Sequence, residues 1–183
     1  MRIIGGKHRG RKLAEFTVGG IRPTADRAKE ALFNILTPQI VGSEVLDLFC
    51  GSGSLGLEAI SRGAKCAHFN DISKNSISVL NKNIVALGEG SQCVVTNYDY
   101  QELLKRTSDK FDIIFIDPPY KEEFGVMALE LIASRKLLKD GGIAVYERDR
   151  AFAAEIDGLE KYDERKYGKA YLTFFKNSED IQI

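Results

Sequence analysis

The run Phe111–Ile116, FDIIFI, holds five apolar residues and one acid, Asp112. A strand this apolar fits a parallel sheet covered by helices on both sides, not a sheet with one face in water. Asp117, Pro118, Pro119 and Tyr120 follow at once. Neither proline can donate to a ladder, so the strand must end near Asp117, and a residue before proline is held extended. The outcome is a stiff loop at a strand's carboxyl end that offers a carboxylate, carbonyls with no neighbouring N–H to compete and an aromatic ring. Open α/β sheets place their ligands at that edge. Taken alone, the stretch also reads as an ordinary strand closing in a Pro-Pro turn.

From Glu44 onward such runs alternate with helical patterns, which calls for a mostly parallel sheet with helices on both faces. Strands are expected at Glu44–Phe49, Cys66–Asn70, Gln92–Thr96, Phe111–Asp117 and Gly142–Glu147. Helices are expected at Ser54–Arg62, Ser73–Leu87, Gln101–Thr107 and Glu123–Arg135. After Gly168, Tyr171–Phe175 reads as a strand with which Leu159–Tyr167 pairs as an antiparallel hairpin, and the polar tail 177–183 should fray. Upstream, the stripe Ala28, Ala31, Leu32, Ile35 and Leu36 marks a helix that begins at Ala25, is capped by Thr24 and is stopped by Pro38. Arg22, Arg27 and Lys29 lie off that stripe and extend a basic surface.

A chain of 183 residues suits one domain with a modest appendage. No apolar run approaches the roughly 18 residues that cross a bilayer, and the N-terminus lacks the apolar core of a signal peptide. Cys50, Cys66 and Cys93 are widely spaced with no CxxC, which points to reduced thiols in a cytoplasmic protein and to no metal site. The net charge is zero, but its distribution is uneven. Residues 1–29 carry eight basic and two acidic side chains, a local +6 that the rest of the chain balances. Residues 1–23 hold six of these cations with five glycines, and Arg2–Ile4 and Arg11–Phe16 read as short strands across a turn. They form a basic hairpin arm on a main domain spanning residues 24–183. Such an arm on an acidic body is the pattern expected when one face meets phosphates.

The first strand runs into Asp47-Leu-Phe-Cys-Gly51-Ser-Gly53-Ser-Leu-Gly56 and then a helix, which satisfies GxGxxG in the strand–turn–helix setting that motif requires. Gly51 and Gly53 let the backbone approach a nucleotide-like ligand, and Asp71, at the end of the second strand, can accept from both ribose hydroxyls. Asp47 decides between two adenosine cofactors. A carboxylate there repels a pyrophosphate but suits the sulfonium and ammonium charges of S-adenosylmethionine (SAM). A dehydrogenase also needs a proton donor near its substrate carbon. The only histidines are His8 in the arm and His68, which reads as a packed strand residue.

VLDLFCGSGSLGLEA followed by DPPY resembles the class I amino-methyltransferases. With MRIIGGKHRGRKL, RPTADRAKEALFNIL and YGKAYLTFF, nearly the whole chain is similar to the RsmD family, bacterial 16S ribosomal RNA guanine-N2 methyltransferases. Cys50 and Ser54 stand where alanine is frequent in that family, and Asp71 where glutamate is frequent. The resemblance implies a Rossmann-like seven-stranded sheet of order 3-2-1-4-5-7-6, SAM as cofactor, and a guanine amine of 16S rRNA or the small ribosomal subunit as acceptor. By analogy with the family's motif, Asp117 and the Pro118 carbonyl accept from the amine and Tyr120 stacks on the base. Asp47 then holds the methionine end of SAM, Gly51 and Gly53 pass beneath it, and Asp71 takes the ribose. Asp99 either accepts from the adenine amine or caps the helix after it, or does both. Arg9, Arg11, Lys12, Arg22 and Arg27 are the candidates for rRNA phosphates. A monomer with no metal is expected. The main alternative is a DNA amino-methyltransferase acting on adenine N6 or cytosine N4, although little chain is left for a target-recognition region. A protein-glutamine methyltransferase usually carries Asn where Asp117 stands, and an inert RNA-binding module would need neither the glycine loop nor DPPY.

Overall fold

The apolar runs become the strands of one sheet. The computed structural model describes residues 1–15, 23–119 and 122–181. Strands β1 (Glu44–Asp47), β2 (Cys66–Asn70), β3 (Cys93–Thr96), β4 (Phe111–Ile116), β5 (Leu138–Arg148), β6 (Leu159–Tyr167) and β7 (Ala170–Asn177) lie in the order β3-β2-β1-β4-β5-β7-β6. The first five run parallel, and β7 pairs antiparallel with both β5 and β6. The expected order and class are therefore observed.

Alternation along the strands sorts two cores. Val45, Ile113, Phe115, Ile143 and Val145 pack with α1 (Pro23–Ile40), α2 (Ser54–Ser61) and α3 (Lys74–Leu87) on one face. Leu46, Ile114, Ile116, Ala144 and Tyr146 pack with α4 (Tyr100–Arg106) and α5 (Glu122–Ser134) on the other. Asp112 of β4 is the polar exception, and it closes the start of β1 by accepting from the Glu44 N–H at 2.7 Å and from Lys139 Nζ at 2.9 Å. β5 begins four residues before the expected Gly142. A register shift lets Leu138 pair with Phe111 before Gly141, at φ 73°, turns the chain into line with Ile113.

Helix α1 corrects three expectations. It starts at Pro23 rather than Ala25, where a missing N–H costs nothing; the Thr24 side chain lies outside the described residues. It passes through Pro38 to Ile40. Pro38 and Asn34 are both solvent-exposed, so water can satisfy the carbonyl that proline leaves without a donor. Lys29 is buried, not part of a basic surface. Its ammonium donates to the Arg2 carbonyl at 2.7 Å and to Ser54 Oγ at 3.0 Å, and lies 3.2 Å from Glu58. Burial lowers its pKa, and Glu58 works against that shift. The tail is also better held than expected: Ser178–Ile181 forms a 3₁₀ turn, and Asp180 accepts from the Gly141 N–H at 2.9 Å.

The arm pairs at one antiparallel bridge, Arg2↔Lys12, not along two strands; Phe16 lies outside the described residues. Its apolar residues Ile3 and Leu13 enter the core beneath α1, α2 and α3. Fully buried Glu58, in the middle of α2, fastens it. One carboxylate oxygen accepts from the Ile4 N–H at 2.7 Å, and the other from the Gly5 N–H and Arg62 Nε, each at 2.8 Å. Ser61 adds a donor to the Gly5 carbonyl and an acceptor for the His8 N–H. A Cβ at Gly6 would strike the Ser61 carbonyl, so the tip of the arm lies directly on α2.

Breaking one partner of a buried charge pair leaves the others uncompensated, at about 3–5 kcal/mol. Glu58→Ala is therefore expected to lower the unfolding free energy by that order, read from denaturant melts. The Ile4 and Gly5 amides should also lose hydrogen-exchange protection in the variant, an effect visible by NMR.

Candidate active site

The carboxyl edge of the sheet carries an acid on each of five adjacent strands. In sheet order they are Asp99 after β3, Asp71 after β2, Asp47 ending β1, Asp117 after β4 and Glu147 in β5. The centre of the row is where β1 meets β4, with neighbouring connections leaving to opposite faces. That is the switch point at which open α/β sheets bind ligands. A cleft of about 260 Å³ opens there, lined by Asp47, Phe49, Gly51, Ser52, Leu55 and Asp117 among others. Met1 and Glu15 form part of the same wall, so the arm contributes to the cleft.

The loop after β1 is tied to both neighbouring strands. Leu48 N–H donates to the Phe115 carbonyl at 3.1 Å and Cys50 N–H to the Asn70 carbonyl at 2.9 Å. Asp47 is almost fully buried, and one of its oxygens accepts from the Gly56 N–H at 2.9 Å, which draws the start of α2 onto the strand end. The two assigned glycines differ. Gly51 has φ 53°, a Cβ there would meet no protein atom within 4 Å, and its N–H donates to Asp71 at 2.9 Å. Gly53 has φ 85°, and a Cβ there would collide with Leu80. Gly51 therefore borders open space for a ligand, whereas Gly53 is required by packing.

Asp71 accepts from the Gly51 N–H at 2.9 Å and from the Ser73 N–H at 2.8 Å, one on each oxygen. A carboxylate has about four lone-pair directions, so each oxygen keeps one for a ligand hydroxyl. Asn97 donates to the carbonyls of Asp71 and Ile72 and holds that turn in place. Asp99 caps α4 by accepting from the Gln101 N–H at 2.9 Å. The structure thus shows the capping role, and its second oxygen makes no bond among the described residues. Asp117 is exposed to the cleft, with Pro118 half-buried beside it. Tyr120 and Arg22 lie outside the described residues.

Electrostatically the row is strained. Burial pushes the Asp47 carboxyl up to about 7; the Gly56 N–H opposes that shift and Asp71 adds to it. The protein around Asp117 raises its proton affinity well above the usual carboxylate range, with further contributions from Glu147 and Asp47. Its open side faces water, which moderates the effect. Glu147 is raised by burial as well. Carboxylates held this way favour a cationic ligand, and a second anion would be repelled. The residues present fit SAM, with Asp47 placed to face its positive end, Gly51 to border it and Asp71 to meet its ribose.

Arg9, Lys12 and Arg27 are exposed, and Arg11 donates to the Ala86 carbonyl in the last turn of α3 at 2.7 Å. At the tip of the arm, Lys7 and His8 both pair with Glu89, just beyond α3. The basic tip is thus at the end of the hairpin away from Met1 and Glu15. His68 packs edge-on against Phe111, as a strand residue does. All three cysteines are free, and burial raises the Cys50 and Cys93 thiols, the latter to about 12. Among the described residues no cluster of His, Cys, Asp and Glu could hold a metal ion.

Two residues escaped the sequence reading. Asn83 pairs its amide with both the N–H and the carbonyl of Ala14 and donates to the Ser52 carbonyl at 2.9 Å, which links arm, α3 and glycine loop. Asn70, buried at the end of β2, accepts from the Tyr98 N–H and donates to the Tyr98 carbonyl, tying the ends of β2 and β3. Their only signal was a polar residue at a position whose neighbours are core.

Sheet order, glycine loop and the acid row together define a class I SAM-dependent methyltransferase. The protein family described as Conserved hypothetical protein 95 matches residues 1–176. Ribosomal RNA small subunit methyltransferase D of Haemophilus influenzae is 41% identical over 153 residues, covering 82% of this chain and 79% of that protein. A solved Escherichia coli structure superposes with a TM-score of 0.86 at 30% identity, covering 97% of each chain. The Thermus thermophilus 16S rRNA N2 G1207 methyltransferase, solved with AdoMet and guanosine, shares the fold at a TM-score of 0.67 and 22% identity, over 88% of this chain and 45% of that one. The chain belongs to the ribosomal RNA small subunit methyltransferase D (RsmD) family.

The raised Asp47 has a stability consequence with a definite sign. A carboxyl whose folded pKa lies above its unfolded value stabilises the fold below the unfolded pKa, and that contribution is lost as pH rises through the folded pKa. Between about pH 4 and 7 the ligand-free protein should thus lose up to about 4 kcal/mol from this group. Asp47→Asn, which keeps the acceptor for Gly56, is expected to melt higher than wild type at pH 8 without cofactor. The same variant should bind SAM more weakly, and both are measurable by thermal shift with and without SAM.

Proposed function

We propose that this chain transfers the methyl group of SAM to the exocyclic N2 amine of a guanine in small-subunit ribosomal RNA. The observation that carries the reading is Asp117: a carboxylate without a protein partner among the described residues, held extended before proline in the cleft that Asp47 and the glycine loop border. When bound, SAM supplies an electrophilic methyl group. A guanine amine is a poor nucleophile because its lone pair is delocalised into the ring. Two acceptors on its two hydrogens, the Asp117 carboxylate and the Pro118 carbonyl, draw the nitrogen toward a tetrahedral shape and aim its lone pair. The amine loses one proton as the new N–C bond forms, and Asp117, with its raised proton affinity, is suited to receive it. Catalysis then rests on orientation and electrostatic placement, with no metal.

Tyr120, next in the loop, is assigned to stack on a base turned out of its helix. Residues 1–23 serve as the RNA-gripping appendage of the methyltransferase domain. Arg9, Arg11, Lys12, Arg22 and Arg27 meet phosphates, and the contacts at the arm's tip are remote from the reacting amine. Binding should therefore weaken steeply with salt. A monomer acting in the cytoplasm fits this role.

The test is methyl transfer from labelled SAM to small-subunit particles, naked 16S rRNA and duplex DNA. Nuclease digestion should yield N2-methylguanine from the ribosomal substrate. Label in DNA, or recovered as N6-methyladenine, contradicts the reading and favours a DNA amino-methyltransferase. Asp117→Ala should lower kcat by at least about 10²–10³-fold with SAM affinity nearly unchanged; collapse of SAM binding would contradict the division of roles.

A further inference from the structure

Glu147 has no role in the reading above, yet its surroundings are unusual. β4 and β5 run parallel with Ile116 opposite Tyr146, so the next residues, Asp117 and Glu147, lie side by side where β4 ends and β5 continues against β7. They continue the face occupied by Phe115 and Val145, and Asp47 stands opposite Phe115 on that same face. Glu147 is half-buried, and its carboxylate makes no hydrogen bond or ion pair among the described residues. Its neighbour Asp117 has none either. Two adjacent carboxylates are acceptors only, and no side chain among the described residues brings them a donor. Leaving them unfilled is costly, since burial raises the proton affinity of both. A ligand that fits must present several N–H groups on one edge.

Guanine does so. Beside its exocyclic amine stands a ring N1–H, a third donor on the same edge. Adenine and cytosine also carry an amine, but the ring nitrogen beside it has a lone pair. We propose that Glu147 is a specificity-determining residue that accepts from guanine N1–H while Asp117 holds the amine, and so rejects bases with a lone pair at that position. This inference rests on the proposed guanine-N2 activity. It supplies a physical reason for a DPPY loop, which suits several amines, to act on guanine. Asp117 and Pro118 read the amine, and Glu147 reads the atom next to it.

Sites that hydrogen-bond a substrate N–H can reject an analogue lacking it by about 10⁴–10⁵. Glu147 is partly open to water, so a smaller factor is expected, on the order of 10². The test compares rRNA bearing guanine at the methylated position, mapped first with wild-type enzyme, against rRNA bearing 2-aminopurine there. The analogue keeps the 2-amine and replaces N1–H by a lone pair. Wild type should show a kcat/KM about 10²-fold lower on the analogue. In Glu147→Gln the side-chain amide can donate to that lone pair, and the guanine-to-analogue ratio should fall at least tenfold.

Because 2-aminopurine also lacks the guanine oxygen, the change in ratio between the two enzymes is what reports on Glu147. A ratio left unchanged by Glu147→Gln, in a variant that melts like wild type, overturns the proposal. A wild-type ratio near one overturns it without any variant. Absence of N2-methylguanine from the guanine substrate removes the proposed function itself, a failure distinct from either of these.

Discussion

Crowded negative charge at the carboxyl edge organises this protein. Asp71, Asp47, Asp117 and Glu147 project from four neighbouring strands, and backbone N–H groups among the described residues give Asp71 one donor on each oxygen and Asp47 a single donor. Like charges at such spacing, with protein on most sides, cannot all stay ionised without compensation. The SAM cofactor supplies a cation, and the proposed guanine would supply N–H donors. Function and instability therefore share a cause: the groups that would bind and orient the reactants are those that weigh on the empty fold.

The arm shows how the same chain offsets such strain elsewhere. Glu58 is as deeply buried as Asp47, but Lys29 and Arg62 surround it and two arm amides complete its shell. One buried acid is saturated and structural; the other keeps a free oxygen toward the cleft. Through Asn83 the anchored arm also reaches the glycine loop at Ser52. The arm and the wall of the cleft are thus tied together through one side chain.

The strands were legible because parallel strands must be apolar on both faces, and because glycine and proline fix loop geometry locally; their order was implied only by the family resemblance. Asp117 stood out beside its two prolines, and Asp47 because a carboxylate four residues before Gly51 suits a cation and repels a pyrophosphate. Residues whose meaning depends on a distant partner were not legible. Lys29 looked like a surface cation until Glu58, 29 positions on, enclosed it. Asn83 joins Ala14 across 69 positions, and Glu147 meets Asp117 only through the register of β4 and β5. Pro38 was read as a stop because its missing donor was counted and the exposure of the Asn34 carbonyl was not.

The central claim, that the acid row is set for a cationic cofactor, is most directly tested by proton linkage. Calorimetry of SAM binding near pH 7 in buffers of different ionisation enthalpy counts the protons exchanged. Net proton release is expected, because the sulfonium charge should pull the Asp47 carboxyl down from about 7. S-adenosylhomocysteine, which lacks that charge, should release fewer. Equal heats in all buffers, or the same release for both ligands, would contradict it.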